Sequence, residues 1–259
     1  MMELEICVDS VESAVAAELG GAQRVELCSA LAEGGLTPSL GLIRRVRSRI
    51  GIGVYAMIRP RGGDFFYSDE EFAVMREDIQ CASEAGANGV VLGLLSADGS
   101  IDVKRTRALV EETRSISPKI EITFHRAIDM ARDLEVALED VIQTGADRIL
   151  TSGGAPNALA GSARVARLVE AAKERIGIMV CGSVRQENVH EIAKATGARE
   201  FHASLRKPVP SPVEYRNSGL SLGEPGNDEY LRYAVTAQDV RNLRQAMDGV
   251  LSLSSQGAE

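Results

Sequence analysis

Short apolar runs alternate with longer amphipathic stretches along almost the whole chain, and this alternation limits the possible folds more than any other feature. Eight runs are predicted as strands, at residues 4–8, 24–28, 53–59, 89–95, 121–126, 148–152, 178–181 and 200–204. Helical stretches follow them, at residues 11–19, 40–49, 69–85, 104–114, 134–144, 162–175, 187–196 and 237–247. Such an alternation is typical of βα units built around a parallel sheet.

Eight βα units in 259 residues favour one particular closed architecture. An open doubly wound sheet shows the same alternation, but the number of units fits an α/β fold of the (β/α)8 TIM barrel type better. We therefore expect a single barrel domain over residues 1–249. A long segment rich in Pro, Gly and Ser, residues 205–235, follows the last strand and is expected to form a lid or an interface. Residues 250–259 are expected to form a disordered tail.

Composition and charge argue against several classes of partner. The net charge of −8 would repel nucleic acid backbones and anionic lipid, so we expect neither a nucleic acid nor a membrane partner. The acidic N-terminus leads directly into a strand-like run without a secretory signal pattern, which predicts a cytoplasmic protein. The four cysteines show no CxxC spacing, and free thiols are expected.

The polar side chains of the predicted strands identify the barrel interior. Side chains alternate between the two faces of a strand, and the face against the helices must be apolar, so the polar set points inward. This set includes Glu5, Cys7, Arg24, Glu26, Cys28, Tyr55, Met57, Arg59, Glu121, Thr123, His125, His202 and Ser204. Barrel interiors are normally filled with Val, Ile and Leu, so buried charges indicate a functional site. The alternative is that Glu5, Glu26 and Arg59 form an internal ion-pair network that fixes the strand register.

Two inward cysteines form the candidate metal site. Cys7 and Cys28 are expected at corresponding places on adjacent parallel strands, where their sulfurs are within reach of one ion. Cu(I) prefers thiolate and thioether ligands, and Met57 on the next strand offers a third donor. The alternative is that both cysteines are buried as small hydrophobes. No histidine spacing typical of zinc sites occurs, and no organic cofactor is expected.

A second hypothesis is an enzyme acting on a small anionic, possibly phosphorylated metabolite. Its catalytic candidates are Glu5, Glu26, Arg59 and His125. His125 is the first acid/base candidate, because it lies at the C-terminal end of the fifth strand, where barrel enzymes place such groups. A histidine satisfied by hydrogen bonds in a polar core is the alternative. The candidates for binding the anion lie around the same end of the barrel: Arg61, Asp129, Gly153, Gly154, Gly182, Ser183 and His202.

At these residues the sequence resembles the CutC family over nearly the whole chain. The similar segments are EICVDS at 5–10, RVELCS at 24–29, MIRPRGGDFFYSDEEF at 57–72, VVLGLLSADGSID at 90–102, FHRAIDM at 124–130, RILTSGG at 148–154, EFHASLR at 200–206 and EYRNSGLSLG at 214–223. The resemblance implies a (β/α)8 barrel, a cytoplasmic location, a homo-oligomer and a role in copper homeostasis. It also implies that Cys7 and Cys28 are Cu(I) ligands.

The resemblance is less close after the seventh strand. The chain has Cys181, Gly182 and Ser183 where a more glycine-rich run is expected, and a side chain there would narrow a backbone cradle for an anion. Two functions therefore stay open: Cu(I) binding for intracellular copper tolerance, distribution or storage, and catalysis of the proton-transfer, lyase or isomerase type.

Overall fold

The strands close into an eight-stranded parallel barrel in chain order. The structure, a computed structural model, describes residues 2–217, 219–220 and 228–256, with the backbone alone over 250–256. The barrel strands are β1 (Glu3–Val8), β2 (Arg24–Leu27), β3 (Gly53–Met57), β4 (Gly89–Leu92), β5 (Glu121–Phe124), β6 (Arg148–Thr151), β7 (Gly177–Val180) and β8 (Glu200–Ala203). The predicted (β/α)8 TIM barrel is confirmed.

Eight α-helices follow the strands. They are α1 (Val11–Leu19), α2 (Leu40–Arg47), α3 (Asp69–Glu84), α4 (Val103–Ile116), α5 (Leu134–Thr144), α6 (Ala158–Ala172), α7 (Val189–Thr196) and α8 (Ala237–Gln256). Six of the first seven helices begin after a Ser, Asp or Asn whose side chain accepts a backbone N–H of the first turn. Helix α8 extends to Gln256, into the segment expected as a tail, and residues 257–259 lie outside the described part of the chain.

The segment after β8 contains a two-stranded antiparallel ribbon. Its strands are β9 (Lys207–Pro210) and β10 (Leu231–Ala234), and Leu231 pairs with Pro210. Residues 218 and 221–227 of this segment lie outside the described residues. Among the described residues, no helix is both long enough and apolar enough to span a bilayer.

Strand side chains divide between two cores as the alternation predicts. The larger core lies between barrel and helices and takes one parity of each strand, including Ile6, Val25, Val54 and Phe201. The other parity lies in the barrel interior, where one apolar cluster comprises Cys7, Cys28, Tyr55, Met57 and Val91, and another comprises Leu150, Met179 and Cys181. The barrel interior is therefore lined by sulfur and charged groups rather than by aliphatic side chains alone.

Ion pairs close the barrel at the N-terminal ends of its strands. Arg24 pairs with Glu3, Glu5 and Glu200, and Arg148 pairs with Glu121 and Glu200. The hydroxyl of Tyr55 donates to Glu121 at 2.7 Å. Gly89 makes room for this ring, since a Cβ there would lie 2.2 Å from Tyr55 Cδ1. Of the three residues expected in an internal ion-pair network, Glu5 belongs to this one, whereas Arg59 binds backbone carbonyls and Glu26 lies outside it.

Candidate metal centre

Three ligand-bearing side chains converge above this network. The ligand atoms of Cys7, Glu26 and His202 all lie within 4.8 Å of one another. They come from β1, β2 and β8, which are adjacent around the barrel, and the register sets Cys7 beside Glu26 and Glu5 beside His202. Cys7 is 5% exposed, and the side chain of His202 is 12% exposed. The cluster is thus nearly closed to solvent.

The register between β1 and β2 differs from the one predicted. Cys7 pairs with Glu26, and Cys28 lies just beyond the end of β2, where its N–H donates to the carbonyl of Val8 at 2.9 Å. The expectation of corresponding places for the two cysteines is therefore wrong, because the strands of a closed barrel are staggered along its axis. The sulfurs are neighbours all the same. Both cysteines pack in one cluster with Met57, and the Cys28 thiol lies 3.5 Å from Glu26 Oε2.

The pKa values of the two thiols shift in opposite directions. A hydrogen bond from the Cys28 thiol is the main cause that lowers the pKa of Cys7 to about 5; burial opposes it, and His202 adds to it. The same hydrogen bond, together with burial, raises the pKa of Cys28 well above its ordinary value. The pair therefore favours one thiolate over two, with Cys7 as the more acidic thiol.

His202 links Cys7 to a buried carboxylate. Its Nδ1 lies 2.7 Å from Glu5 Oε1, and its Nε2 lies 3.9 Å from Glu26 Oε2. Burial alone would lower the pKa of His202, but Glu26, Cys7 and Glu5 together raise it well above the ordinary value. The pKa of Glu5 is held at about 2 by His202 and Arg24 against the effect of burial. His202 therefore connects the Cys7 thiol to the Glu5 carboxylate, and each of these groups favours the charged form of its neighbour.

Glu26 is the least satisfied member of the cluster. Burial is the main cause that raises its pKa well above the ordinary range. Its Oε1 is buried and has no hydrogen-bond partner among the described residues. A buried polar atom without a partner is costly, and in a native protein it points to a bound water, ion or ligand. Glu26 is therefore the group of this cluster that most needs one.

His125 lies apart from this cluster. Its Nδ1 accepts the N–H of Ala127 at 3.2 Å, and its ring packs 5.0 Å from the ring of Phe65. A Cβ at Gly93 would lie 2.5 Å from His125 Nδ1, so the glycine is required for this position. Burial and the charge of Arg59 lower the pKa of His125 to about 3, and it is neutral at physiological pH. Its Nε2 is buried without a partner among the described residues.

The two arginines predicted to clamp an anion bind protein groups. Arg59 donates to the carbonyls of Glu33, Gly35 and Gly63 at 2.9–3.2 Å and so joins the loops that follow β2 and β3. Arg61 pairs with Glu71 and Asp64 and donates to the carbonyl of Phe66. These contacts hold both side chains in the loops of the barrel mouth.

A side chain occupies the backbone cradle after β6. Asp129 accepts hydrogen bonds from the hydroxyl of Thr151 at 2.6 Å, the N–H of Ser152 at 3.0 Å and the N–H of Gly154 at 2.8 Å. The N–H of Gly153 donates to the Thr151 hydroxyl at 2.8 Å. The structure thus brings together three of the predicted anion-binding residues, but Asp129 is itself the anion that the cradle holds.

Comparison with known proteins supports the same family. The sequence model of the CutC family matches residues 2–207. The chain belongs to the CutC family. A CutC protein of Chromobacterium violaceum is 49% identical over 245 residues, which cover 95% of this chain and 98% of that protein. The human copper homeostasis protein cutC homolog is 45% identical over 241 residues, 93% of this chain and 86% of that protein.

Solved structures agree with the assignment. The crystal structure of CutC from Streptococcus agalactiae is 34% identical, covers 78% of this chain and 98% of its own, and superposes with a TM-score of 0.72. Phosphoribosylanthranilate isomerase from Thermotoga maritima superposes with a TM-score of 0.56 at 14% identity and shares the fold only. CutC relatives carry copper homeostasis in their names, so this family member is related to proteins with that role.

Sequence reasoning missed the partners of Cys7. It placed Glu26 and His202 inside the barrel but grouped neither with the thiol, because contact between β8 and β1 requires barrel closure. The signal that could have grouped them was the shared inward parity of Glu26, His202 and Cys7 on strands that become neighbours when the barrel closes. Reasoning from motifs also missed Arg185 and Arg206, which lie beyond the ends of β7 and β8.

Proposed function

We propose that this CutC protein binds Cu(I) in the barrel interior and serves copper tolerance, distribution or storage in the cytoplasm. The observation that carries the proposal is the buried sulfur cluster in which Cys7 contacts Cys28 beside Met57. Soft sulfur donors select Cu(I) over harder ions. In this arrangement Cys7 supplies the thiolate, Cys28 supplies the second sulfur, and Met57 offers a thioether.

His202 and Glu26 offer further ligand atoms to the same copper ion. His202 offers an imidazole nitrogen, which also suits copper, and Glu26 offers the oxygen that lacks a partner. Metal ligands must be deprotonated, so Cu(I) binding by both cysteines releases the Cys28 proton. Ion uptake by the cluster is therefore coupled to proton release.

Entry of an ion requires a movement at the barrel mouth. Leu31 packs against the sulfur cluster, and it begins a short helical turn, Leu31–Glu33, between β2 and α2. Arg59 ties this turn to the third strand through the carbonyls of Glu33 and Gly35. Ala30, which precedes the turn, has a φ of 48°. We propose that displacement of this turn admits and releases the ion.

A second candidate function is catalysis on a small anionic metabolite. The contacts from Cys7 to His202 and from His202 to Glu5 favour it. Nucleophilic cysteines are activated by a histidine that a third group orients. In this candidate His202 transfers the proton, and Glu5 fixes its orientation. Arg59 and Arg61 hold protein groups, so a substrate anion would need another site.

We also propose that the protein forms a homo-oligomer, which sedimentation equilibrium would test.

The test of copper binding is an anaerobic Cu(I) titration against a competing chelator. The variants are Cys7→Ser and Cys28→Ser, and the matched control is Cys81→Ser, which alters the exposed cysteine on α3. Binding that is tight in the parent and in the control but lost in the other two variants supports the proposal. Equally weak binding in all four proteins, each folded by circular dichroism, refutes it and favours catalysis.

A further inference from the structure

A separate cavity of about 160 Å³ lies at the C-terminal end of the barrel. The loop after β7 lines it with Arg185 and Gln186, and the segment after β8 lines it with Leu205 and Arg206. None of these residues belongs to the metal centre. In TIM barrels the loops after the seventh and eighth strands frequently form a phosphate site.

Two guanidinium groups at this cavity are incompletely neutralised. Among the described residues Arg185 has no carboxylate partner, and its Nη1 donates to the carbonyl of Val184 at 2.7 Å. The carboxylate nearest to Arg206 is that of Asp9, at 3.7 Å, and the buried Nε of Arg206 has no partner among the described residues. In a chain of net charge −8, two cations with so little compensation favour an external anion.

The other charges at the cavity do not cancel this pair. Lys207 forms an ion pair with Asp239 at 2.7 Å, so these two residues neutralise each other. Glu187 also lines the cavity but is exposed to solvent, where its charge is screened. The net charge that faces the cavity interior therefore comes from Arg185 and Arg206.

A tyrosine ring orients Arg206, and the loop that precedes Arg185 carries backbone N–H groups without acceptors. Arg206 lies over the ring of Tyr233, with its Cζ 5.1 Å from the ring centroid, so the β9–β10 ribbon fixes its orientation. In the loop after β7, Gly182 and Ser183 have φ values of 96° and 57°. Their N–H groups donate no hydrogen bond within the described part of the chain. The loop that carries Arg185 thus has free backbone donors as well.

We propose that this cavity binds the phosphate group of a small ligand, with Arg185 and Arg206 as its main contacts. The planar fork of an arginine matches a phosphate with two parallel hydrogen bonds, and the cavity is of a size for one such group. The rest of the ligand would extend from Arg206 towards Asp9 at the end of β1, over the barrel mouth. The site does not depend on copper binding.

The test is calorimetric titration of the metal-free protein with inorganic phosphate. The variants are Arg185→Gln and Arg206→Gln, and the matched control is Arg45→Gln, which removes the same charge from the exposed face of α2. We expect saturable binding by the parent and the control, and a Kd raised roughly tenfold or more in each of the other variants, since a hydrogen bond to a charged group is lost.

Further measurements test whether the ligand is a phosphate and whether the cavity acts independently of the metal centre. Arg206→Lys keeps the charge but lacks the fork, so it should bind phosphate more weakly than the parent and more tightly than Arg206→Gln. Acetate should compete poorly, and Cys7→Ser should bind phosphate like the parent. The proposal is overturned if the parent shows no saturable binding, if both glutamine variants match Arg45→Gln, or if acetate competes as well as phosphate.

Discussion

Replacing Arg24 by methionine should destabilise the barrel strongly. The guanidinium group is 4% exposed and donates through Nε to Glu5 at 2.8 Å, with Glu3 and Glu200 as its other partners. Methionine has a similar length but no charge, so the variant leaves the fully buried Glu5 without its arginine. Breaking a buried ion pair from one side typically costs about 3–5 kcal/mol.

The pKa of Glu5 sets the scale of the stability contributed through this carboxylate. Its value is about 2 in the folded protein and 4.5 in the absence of interactions. A shift of that size corresponds to about 3 kcal/mol of stability at neutral pH, which Arg24 shares with His202, whose hydrogen bond is the larger lowering cause. Because the folded pKa is the lower one, this stability is present above pH 4.5 and is lost as the pH falls from 4.5 towards 2. The penalty of the variant should therefore shrink in the same window.

The assay is urea unfolding followed by far-ultraviolet circular dichroism at pH 7 and at pH 4. The matched control is Arg76→Met, which removes an exposed partner of Glu112 and should change the unfolding midpoint little. Arg24→Met should lower the midpoint clearly at pH 7 and less at pH 4. Our interpretation of the network is refuted if Arg24→Met costs no more than Arg76→Met at pH 7.

Three further predictions concern the barrel mouth. Gly93→Ala places a methyl group against His125, so we expect the free energy of unfolding to fall by about 1–3 kcal/mol, measured by thermal unfolding. An unchanged melting temperature would contradict the position of the His125 ring. Asp129→Asn removes one of the two acceptor oxygens that hold the loop after β6, and the same assay should show a loss of about 1–3 kcal/mol. Leu31→Ala loosens the turn over the sulfur cluster, so stopped-flow transfer of Cu(I) to a chelator should be faster at similar affinity; an unchanged rate would exclude this turn as the entry point.

The fold was predictable because two periodicities are visible in the sequence. Strand residues alternate with period two, and this alternation alone separates the outward Ile6 and Val25 from the inward Cys7 and Glu26. Amphipathic stretches marked the helices, and the predicted bounds of α1 and α5 agree with the structure. Both signals are local, and neither depends on how the strands pair.

The candidate site was less predictable because it depends on pairing. The stagger of β2 along β1 moved Cys28 away from the place predicted for it. Closure of β8 onto β1 brought His202 to Glu5, a contact between residues 197 positions apart. Asp129 and Arg59 are residue types that often bind ligands, so the sequence could not distinguish a binding role from a structural one. Their hydrogen bonds show that Asp129 fills the backbone cradle after β6 and that Arg59 joins the loops after β2 and β3.

The coordination of Cu(I) tests the central claim most directly. X-ray absorption at the copper edge of the anaerobically loaded protein should show sulfur ligands in the first shell of the parent and of Cys81→Ser. We expect fewer sulfur ligands in Cys28→Ser and Cys7→Ser, since both side chains belong to the buried cluster. A first shell of nitrogen and oxygen alone, or the same sulfur number in all four proteins, would contradict a copper site at Cys7 and Cys28.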